Sequence, residues 1–277
     1  MTMTLRQRVR TANAIHVYLL CLQRHRWRMM EARIGQVEEM LRRLQAVRRK
    51  LAKCEARDWW AAGRRLFPQV GFVGRDIPYY VQEGQRAVDA CNTQVPSSAD
   101  LYRDLLQVED EFDELRYYPK SEVLAVSTDP IELEDVFLGR FEIQLRLPGL
   151  TDLHCGDVYR IGALDPHPAA SNESVTHPHV SDQRLCPGDA GAAIDTALAT
   201  GRICDFFLLV RSVLTHYNPG SPYVSLENWG GVGCYDCGYI TDPESLSWCG
   251  VCERDFCDDC ASYCRCCVRP VFPKLAA

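Results

Sequence analysis

Apolar residues at the front of the chain recur every three or four positions: Ile34, Val37, Leu41, Leu44 and Leu51 share one side, and Arg42, Arg43, Arg48, Arg49 and Lys50 occupy the others. Residues 3 to about 58 hold no proline and a single glycine, Gly35. This spacing predicts one long helix or a helical hairpin with coiled-coil character. Arg48 stands where a heptad places an apolar side chain, which argues against an extended parallel dimer. From Leu66 to Pro96 the pattern is interrupted by Pro68, Gly71, Gly74 and Pro78. That stretch reads as a mixed connector whose Phe67, Phe72, Tyr79 and Tyr80 pack rather than stay disordered.

A more regular pattern begins near Ser97. Ser98 is the expected cap of a helix with the stripe Leu101, Leu105, Val108, Phe112 and Leu115, and Pro119 is its expected stop. Val123 to Ser127, and then Phe141, Ile143, Leu145 and Leu147, have the alternation of half-buried strands, with a third candidate at Val158 to Leu164. Residues 165–181 are rich in turn formers. Helices follow at Ala190 to Leu198 and Asp205 to Tyr217, parted by Gly201; the second buries Phe206, Val210, Val213 and Leu214 and ends at Asn218-Pro219-Gly220. Helix, antiparallel strands and two more helices make an α+β domain.

The 277 residues divide into a basic helical region (1–66), the connector (67–97), the α+β domain (98–229) and a small cysteine-rich unit (234–267). The domain's own apolar pattern predicts that it folds without residues 1–66. The basic region holds sixteen Lys or Arg and five Asp or Glu, near +11, so a net charge of -6 leaves about -17 on the remainder. Such an arm suits an acidic partner surface, nucleic acid or the protein's own acidic body. Its arginines follow no base-reading motif, which disfavours nucleic acid. The strongest apolar run, Ile15 to Leu22, contains His16 and leads into Arg24, His25 and Arg26. It is too short to span a bilayer and unlike a signal peptide, so no membrane partner and a cytoplasmic location are expected.

Nine of the fifteen cysteines lie between positions 234 and 267, a clustering that points to metal in a reducing compartment. They form four Cys-x-x-Cys pairs: Cys234/Cys237, Cys249/Cys252, Cys257/Cys260 and Cys264/Cys267, with Cys266 left over. Each pair offers two thiolates to one tetrahedral ion, so eight thiolates predict two zinc ions. With every position filled by thiolate, the zinc is structural. Gly238 and Gly250 suit the knuckle turns. Pairing in sequence would give two independent ribbons; interleaved pairing, first with third and second with fourth, would lock both sites into one unit. The interleaved spacing resembles RING-type and related treble-clef modules, which dock ubiquitin-conjugating enzymes. This chain lacks the usual ligand histidine, and its last two pairs are closer together.

His177-Pro178-His179-Val180 followed by Leu185-Cys186 resembles the active-site signature of ubiquitin-conjugating enzymes. Gly139-Arg140-Phe141-Glu142-Ile143 resembles that family's second strand. Phe206 to Leu214, Asn218-Pro219 and Ser221-Pro222-Tyr223 resemble its helix and the segment beyond the active site. The likeness spans roughly residues 98–229. It implies that Cys186 accepts the C-terminal glycine of a ubiquitin-like modifier as a thioester and passes it to a protein acceptor, with an activating enzyme upstream. It implies that His177 holds the active-site loop. His179 stands where the family has the asparagine that steadies the loop and the oxyanion. Asp189, three residues past Cys186, is placed to orient or deprotonate an incoming amine. Both modules in one chain suit a compact prokaryotic pathway. The alternative is a non-catalytic adaptor or ligase-like protein bridging a separate conjugating enzyme and its target. Cys155 and Cys204 read as core, and Cys21, Cys54, Cys91, His154 and His167 carry no functional signal.

Overall fold

Thr4 and Gln7 start the first helix with a reciprocal box: the Gln7 amide donates to the Thr4 hydroxyl at 3.3 Å, and the Thr4 amide donates to the Gln7 side chain at 2.9 Å. The computed structural model describes residues 3–153, 158–241, 245–260 and, as backbone, 272–273. Helix α1 (Leu5–Glu55) has 51 residues and is therefore about 77 Å long. Its two halves have different partners. Ala12, Ile15, Leu19 and Leu22 are buried in the core of the α+β body, whereas Met40 and Val47 are buried further along the helix, in the arm. Polar ties fix the first half: His16 Nδ1–H donates to the Pro96 carbonyl at 2.8 Å, the Tyr18 hydroxyl to Glu122 at 2.8 Å, and Gln23 to the Cys91 carbonyl at 2.6 Å. The basic front is thus continuous with the core of the body, and residue 66 is not a packing boundary.

After a short helix α2 (Trp60–Arg64) the chain returns along α1 as α3 (Phe67–Cys91). The segment read as a mixed connector is helical from Phe67 to Cys91, and only residues 92–97 are irregular. Pro68 sits in the first turn, where no amide partner is lost, and Pro78 removes one internal donor. The expected packing of its aromatic residues is also not found. No residue of α3 is fully buried, and Phe67, Phe72 and Tyr79 are exposed.

The body begins with α4 (Ser98–Glu111). Its cap is Ser97, one residue before the expected position: the Asp100 amide donates to the Ser97 hydroxyl at 3.2 Å, and the Ser97 amide to the Asp100 carboxylate at 3.0 Å. Phe112 turns extended, so Leu115 belongs to strand β1 (Leu115–Tyr118), and Pro119 ends a strand rather than a helix. Strands β2 (Val123–Ser127), β3 (Ile131–Leu133), β4 (Val136–Gly139), β5 (Phe141–Arg146) and β6 (Tyr159–Ala163) follow. The main sheet is antiparallel in the order β1-β2-β5-β6, with the β3–β4 hairpin inserted between its middle strands. Gly139 has φ +82°, and a Cβ there would come within 2.4 Å of the Asp165 carbonyl oxygen, so only glycine fits.

Residues 175–185 form a three-stranded sheet, β7 (Val175–His177), β8 (Val180–Ser181) and β9 (Arg184–Leu185), of which β7 and β8 fall inside the stretch read as turn formers. Helices α5 (Gly191–Thr200) and α6 (Ile203–Thr215) cover the main sheet, with Phe206, Phe207, Val210 and Leu214 buried and Val213 only half-buried. Asp104 of α4 accepts from the Ile203 and Cys204 amides at 2.6 and 3.0 Å, tying α4 to the start of α6. Gly201 between α5 and α6 is left-handed, and a Cβ on it would meet Leu19 at 2.6 Å and Pro96 at 2.8 Å, so α1 packs directly on this corner.

Trp229 closes the body: its indole donates to the His167 carbonyl at 3.1 Å, and its own carbonyl accepts from the Ala170 amide at 2.9 Å. Beyond it stand β10 (Val232–Gly233), β11 (Ile240–Thr241), β12 (Ser247–Cys249), β13 (Arg254–Phe256) and β14 (Phe272–Pro273), with β12 pairing both β13 and β14. Their separate core consists of Cys234, Leu246, Cys249, Phe256 and Cys257. The whole is α+β, with a long N-terminal helix, antiparallel sheets and flanking helices. No helix among the described residues is long and apolar enough to cross a membrane.

Candidate functional site

The β8–β9 hairpin turns through Asp182 and Gln183, both at positive φ (51° and 62°), the backbone of a two-residue type I′ turn. Its register pairs Val180 with Leu185, and one step further the Cys186 amide donates to the His179 carbonyl at 2.8 Å. Cys186 is half-buried at the edge of a cleft of about 220 Å³. His179, Asp189, Val213, His216 and Asn218 line the same cleft. Asp189 sits in a short 3-10 turn at the head of α5 and is exposed. Cys204, by contrast, is buried, and burial pushes its thiol up to about 11.

His177 does not line the cleft. Its ring is fully buried behind the hairpin, edge-on to Phe141 at 5.8 Å between ring centres. Nε2 lies 2.9 Å from the Leu214 carbonyl, and Nδ1 accepts the His179 amide at 3.0 Å. A backbone acceptor on one side and a backbone donor on the other fix the neutral tautomer with the proton on Nε2. The ring therefore ties the β7–β8 corner to the C-terminal end of α6, where helix carbonyls need partners. His179 is also buried; its Nε2 accepts the Asn218 amide at 3.3 Å, which leaves the proton on Nδ1. The Tyr223 amide donates to the Pro178 carbonyl at 2.8 Å, closing the segment beyond α6 over the same turn.

Burial pushes His177 down from 6.5 to about 4, against the opposing pull of the Leu214 carbonyl, and burial lowers His179 as well. The unfolded chain takes up the His177 proton near pH 6.5, whereas the folded chain resists until about pH 4. The stability contributed by the neutral ring is thus complete above about pH 6.5 and is lost as pH falls toward 4, by about 3 kcal/mol. Urea melts at a series of pH values should show this loss in the native chain and a shallower pH dependence in His177→Gln. Equal slopes in the two chains would mean that this ring does not couple folding to protons.

His216 and Val213 escaped the sequence reading as cleft residues. The available signal was a second stripe on α6: Leu209, Ser212, Val213 and His216 follow helical spacing, and all four border the cleft.

The second candidate centre is the cysteine cluster. The sulfur atoms of Cys234, Cys237, Cys257 and Cys260 all lie within 4.8 Å of one another, so the first Cys-x-x-Cys pair meets the third. This is the interleaved choice between the two pairings left open above. The Gly238 amide donates to the Cys234 carbonyl at 2.8 Å, and Gly238 takes φ +73°. Burial raises the Cys234 thiol, but amides of Cys257, Cys237 and Asp236 outweigh it and draw the thiol down to about 6, which favours a thiolate. Four converging sulfurs are the donor set of a structural tetrahedral zinc site and fit that ion.

Cys249 and Cys252 form a knuckle of the same build: the Glu253 amide donates to the Cys249 carbonyl at 2.8 Å, and Glu253 takes φ +55°. The left-handed positions are Gly238 and Glu253; Gly250, expected to serve such a turn, is not left-handed. Among the described residues there is one four-cysteine group. Cys264, Cys267 and the spare Cys266 lie outside the described residues, as do Cys155 and His154.

Comparison with protein-family models, with curated proteins and with solved structures found no match for this chain.

Proposed function

We propose that the protein is a transferase for a ubiquitin-like modifier, carrying it as a thioester on Cys186, with a two-zinc module that assists the second transfer. The observation that carries this reading is the seat of Cys186: half-buried in a cleft, tied by its amide to the His179 carbonyl, and faced by Asp189 and the end of α6. A thiol at the rim of a cleft with polar neighbours is open to attack chemistry in a way that the buried Cys204 is not.

In the first step the Cys186 thiolate attacks the carbonyl carbon of the modifier's terminal glycine, held as a thioester on the activating enzyme. The new C–S bond forms as the old one breaks, and the activating enzyme's sulfur leaves as thiolate. In the second step an acceptor amine attacks the same carbon, the Cys186 sulfur leaves, and the amine's surplus proton passes to Asp189 or water. His179 Nδ1–H is the ring donor suited to the oxyanion formed between these steps. His177 is a positioning residue, since both ring nitrogens are engaged by backbone groups.

The matching hydrogen bond and left-handed turn of the two knuckles support a second zinc, held by Cys249 and Cys252 with Cys264 and Cys267. When bound, the ions hold together a unit whose described residues fully bury only Leu246 and Phe256 besides cysteines. The test combines the chain with ATP, a ubiquitin-fold protein ending in glycine and its adenylating enzyme. A thiol-labile adduct should form on the native chain, vanish in Cys186→Ala, and become thiol-resistant in Cys186→Ser. An adduct that survives Cys186→Ala, or none on a fully metallated native chain, sinks the reading and favours the adaptor.

A further inference from the structure

Two apolar stripes face solvent along the arm built from the second half of α1 and from α3. Trp27, Ile34 and Leu41 recur at seven-residue intervals on α1 and are 59%, 43% and 45% exposed. Phe67, Gly74 and Val81 recur at the same interval on α3; Phe67 and Val81 are 59% and 51% exposed, and a Cβ on Gly74 would meet nothing within 4 Å. The opposite flank of the hairpin carries a groove lined by Met40, Arg43, Val47, Phe72 and Asp76. Leu41 and Gly74 each stand two residues, about 200° of helix rotation, from Arg43 and Phe72 of that groove. Both stripes therefore lie on one flank, which nothing among the described residues covers. A 25-residue helix without one fully buried side chain is packed on a single neighbour only.

We propose that this flank is the contact between two copies of the chain, whose arms pack antiparallel as a four-helix bundle. The seven-residue spacing on both helices is the repeat by which helices bury a shared seam. The charges beside the seam favour a second copy over other occupants. Glu31 and Glu38 lie toward the body and Arg42 and Arg49 toward the tip, all exposed. A two-fold axis near residue 40 sets Glu31 against Arg49 of the second copy and Glu38 against Arg42, which also pairs with Glu39 of its own chain at 2.9 Å. Parallel packing would set Arg48 against Arg48 in the seam. The five exposed stripe side chains present on the order of 500 Å² per copy, given roughly 150–250 Å² for each whole side chain. Two copies with their flanking polar residues then reach the ~1,200–2,000 Å² of a stable interface.

Sedimentation of the full, metallated chain tests this. The native chain should sediment at twice its own mass. Ile34→Glu combined with Leu41→Glu should sediment as a single chain with an unchanged far-ultraviolet spectrum, because both positions are exposed within one chain. Glu38→Arg should weaken self-association on the order of tenfold, and adding Arg42→Glu should restore it by rebuilding the pair between copies. A native chain that sediments singly at every concentration, or a double-glutamate variant that stays paired, overturns the proposal. A charge-reversed double variant weaker than Glu38→Arg alone overturns the antiparallel register.

Discussion

Replacing Cys257 by alanine should cost the protein the zinc ion proposed for the four-cysteine cluster and unfold the unit from residue 234 onward, while the melting of the α+β body stays where it was. Cys257 is buried in the small core, and its sulfur is among the four that converge. Among the described residues, the fully buried apolar side chains of that core besides cysteines are Leu246 and Phe256, with Val232 half-buried against them. With so few apolar side chains to bury, folding of the unit is expected to rest on metal ligation. Elemental analysis should read about two zinc ions in the native chain and about one in Cys257→Ala. Cys252→Ala should release the other ion, if the second knuckle closes on Cys264 and Cys267. Zinc content unchanged by Cys257→Ala would remove the cluster as a metal site, and iron in place of zinc would correct the metal.

Deleting residues 1–26 should abolish the cooperative melt of the body, the reverse of what the sequence pattern leads one to expect. Ile15, Leu19 and Leu22 are buried among the core residues of α4, the sheet and α5–α6. Leu19 fills the space above Gly201, and His16 and Gln23 satisfy the Pro96 and Cys91 carbonyls. Truncating one large core aliphatic residue to alanine costs about 2–5 kcal/mol. Removing three of them exceeds much of the 5–15 kcal/mol by which a domain of this size is stable. Ile15→Ala alone should lower the urea midpoint clearly, whereas Val47→Ala, out in the arm, should leave the body's transition nearly unmoved. A chain beginning at residue 27 that melts cooperatively at the native temperature would show that α1 only rests on the body.

The contrast between those expectations shows where reading the chain succeeds. Strand β2 was legible as a short apolar run, buried from Val123 to Val126, and β5 because Phe141, Ile143 and Leu145 alternate, although Glu142 between them is buried too; α6 was legible because Phe206, Val210 and Leu214 follow helical spacing onto one side. Cys-x-x-Cys spacing carries its geometry within four residues, so the knuckles were legible too. The role of α1 was not: its periodicity predicts an apolar stripe but cannot say that one half meets the body and the other meets α3. The connector was misread because Pro68, Pro78 and three glycines outweigh the helical pattern locally, whereas the long neighbour α1 supplies the packing that overrides them. Residues 165–181 were read as turns because β7 and β8 are only three and two residues long. The cleft beside Cys186 depends on Asn218 folding back over His179, a contact between positions 39 apart that no local pattern encodes.

The docking of α1 also sets an order of events during synthesis. Its apolar face leaves the ribosome well before its partners at Pro96, Glu122, Ala199 and Gly201, which come roughly 80 to 180 residues later. At about 5–20 residues per second, Leu19 waits roughly 10–35 s before Gly201 has been made. In that interval α4 and the sheet can cover part of the face of Ile15, Leu19 and Leu22, but the α5–α6 corner cannot. The nascent chain therefore passes through a window in which this face is only partly covered, and that window closes when the α5–α6 corner emerges.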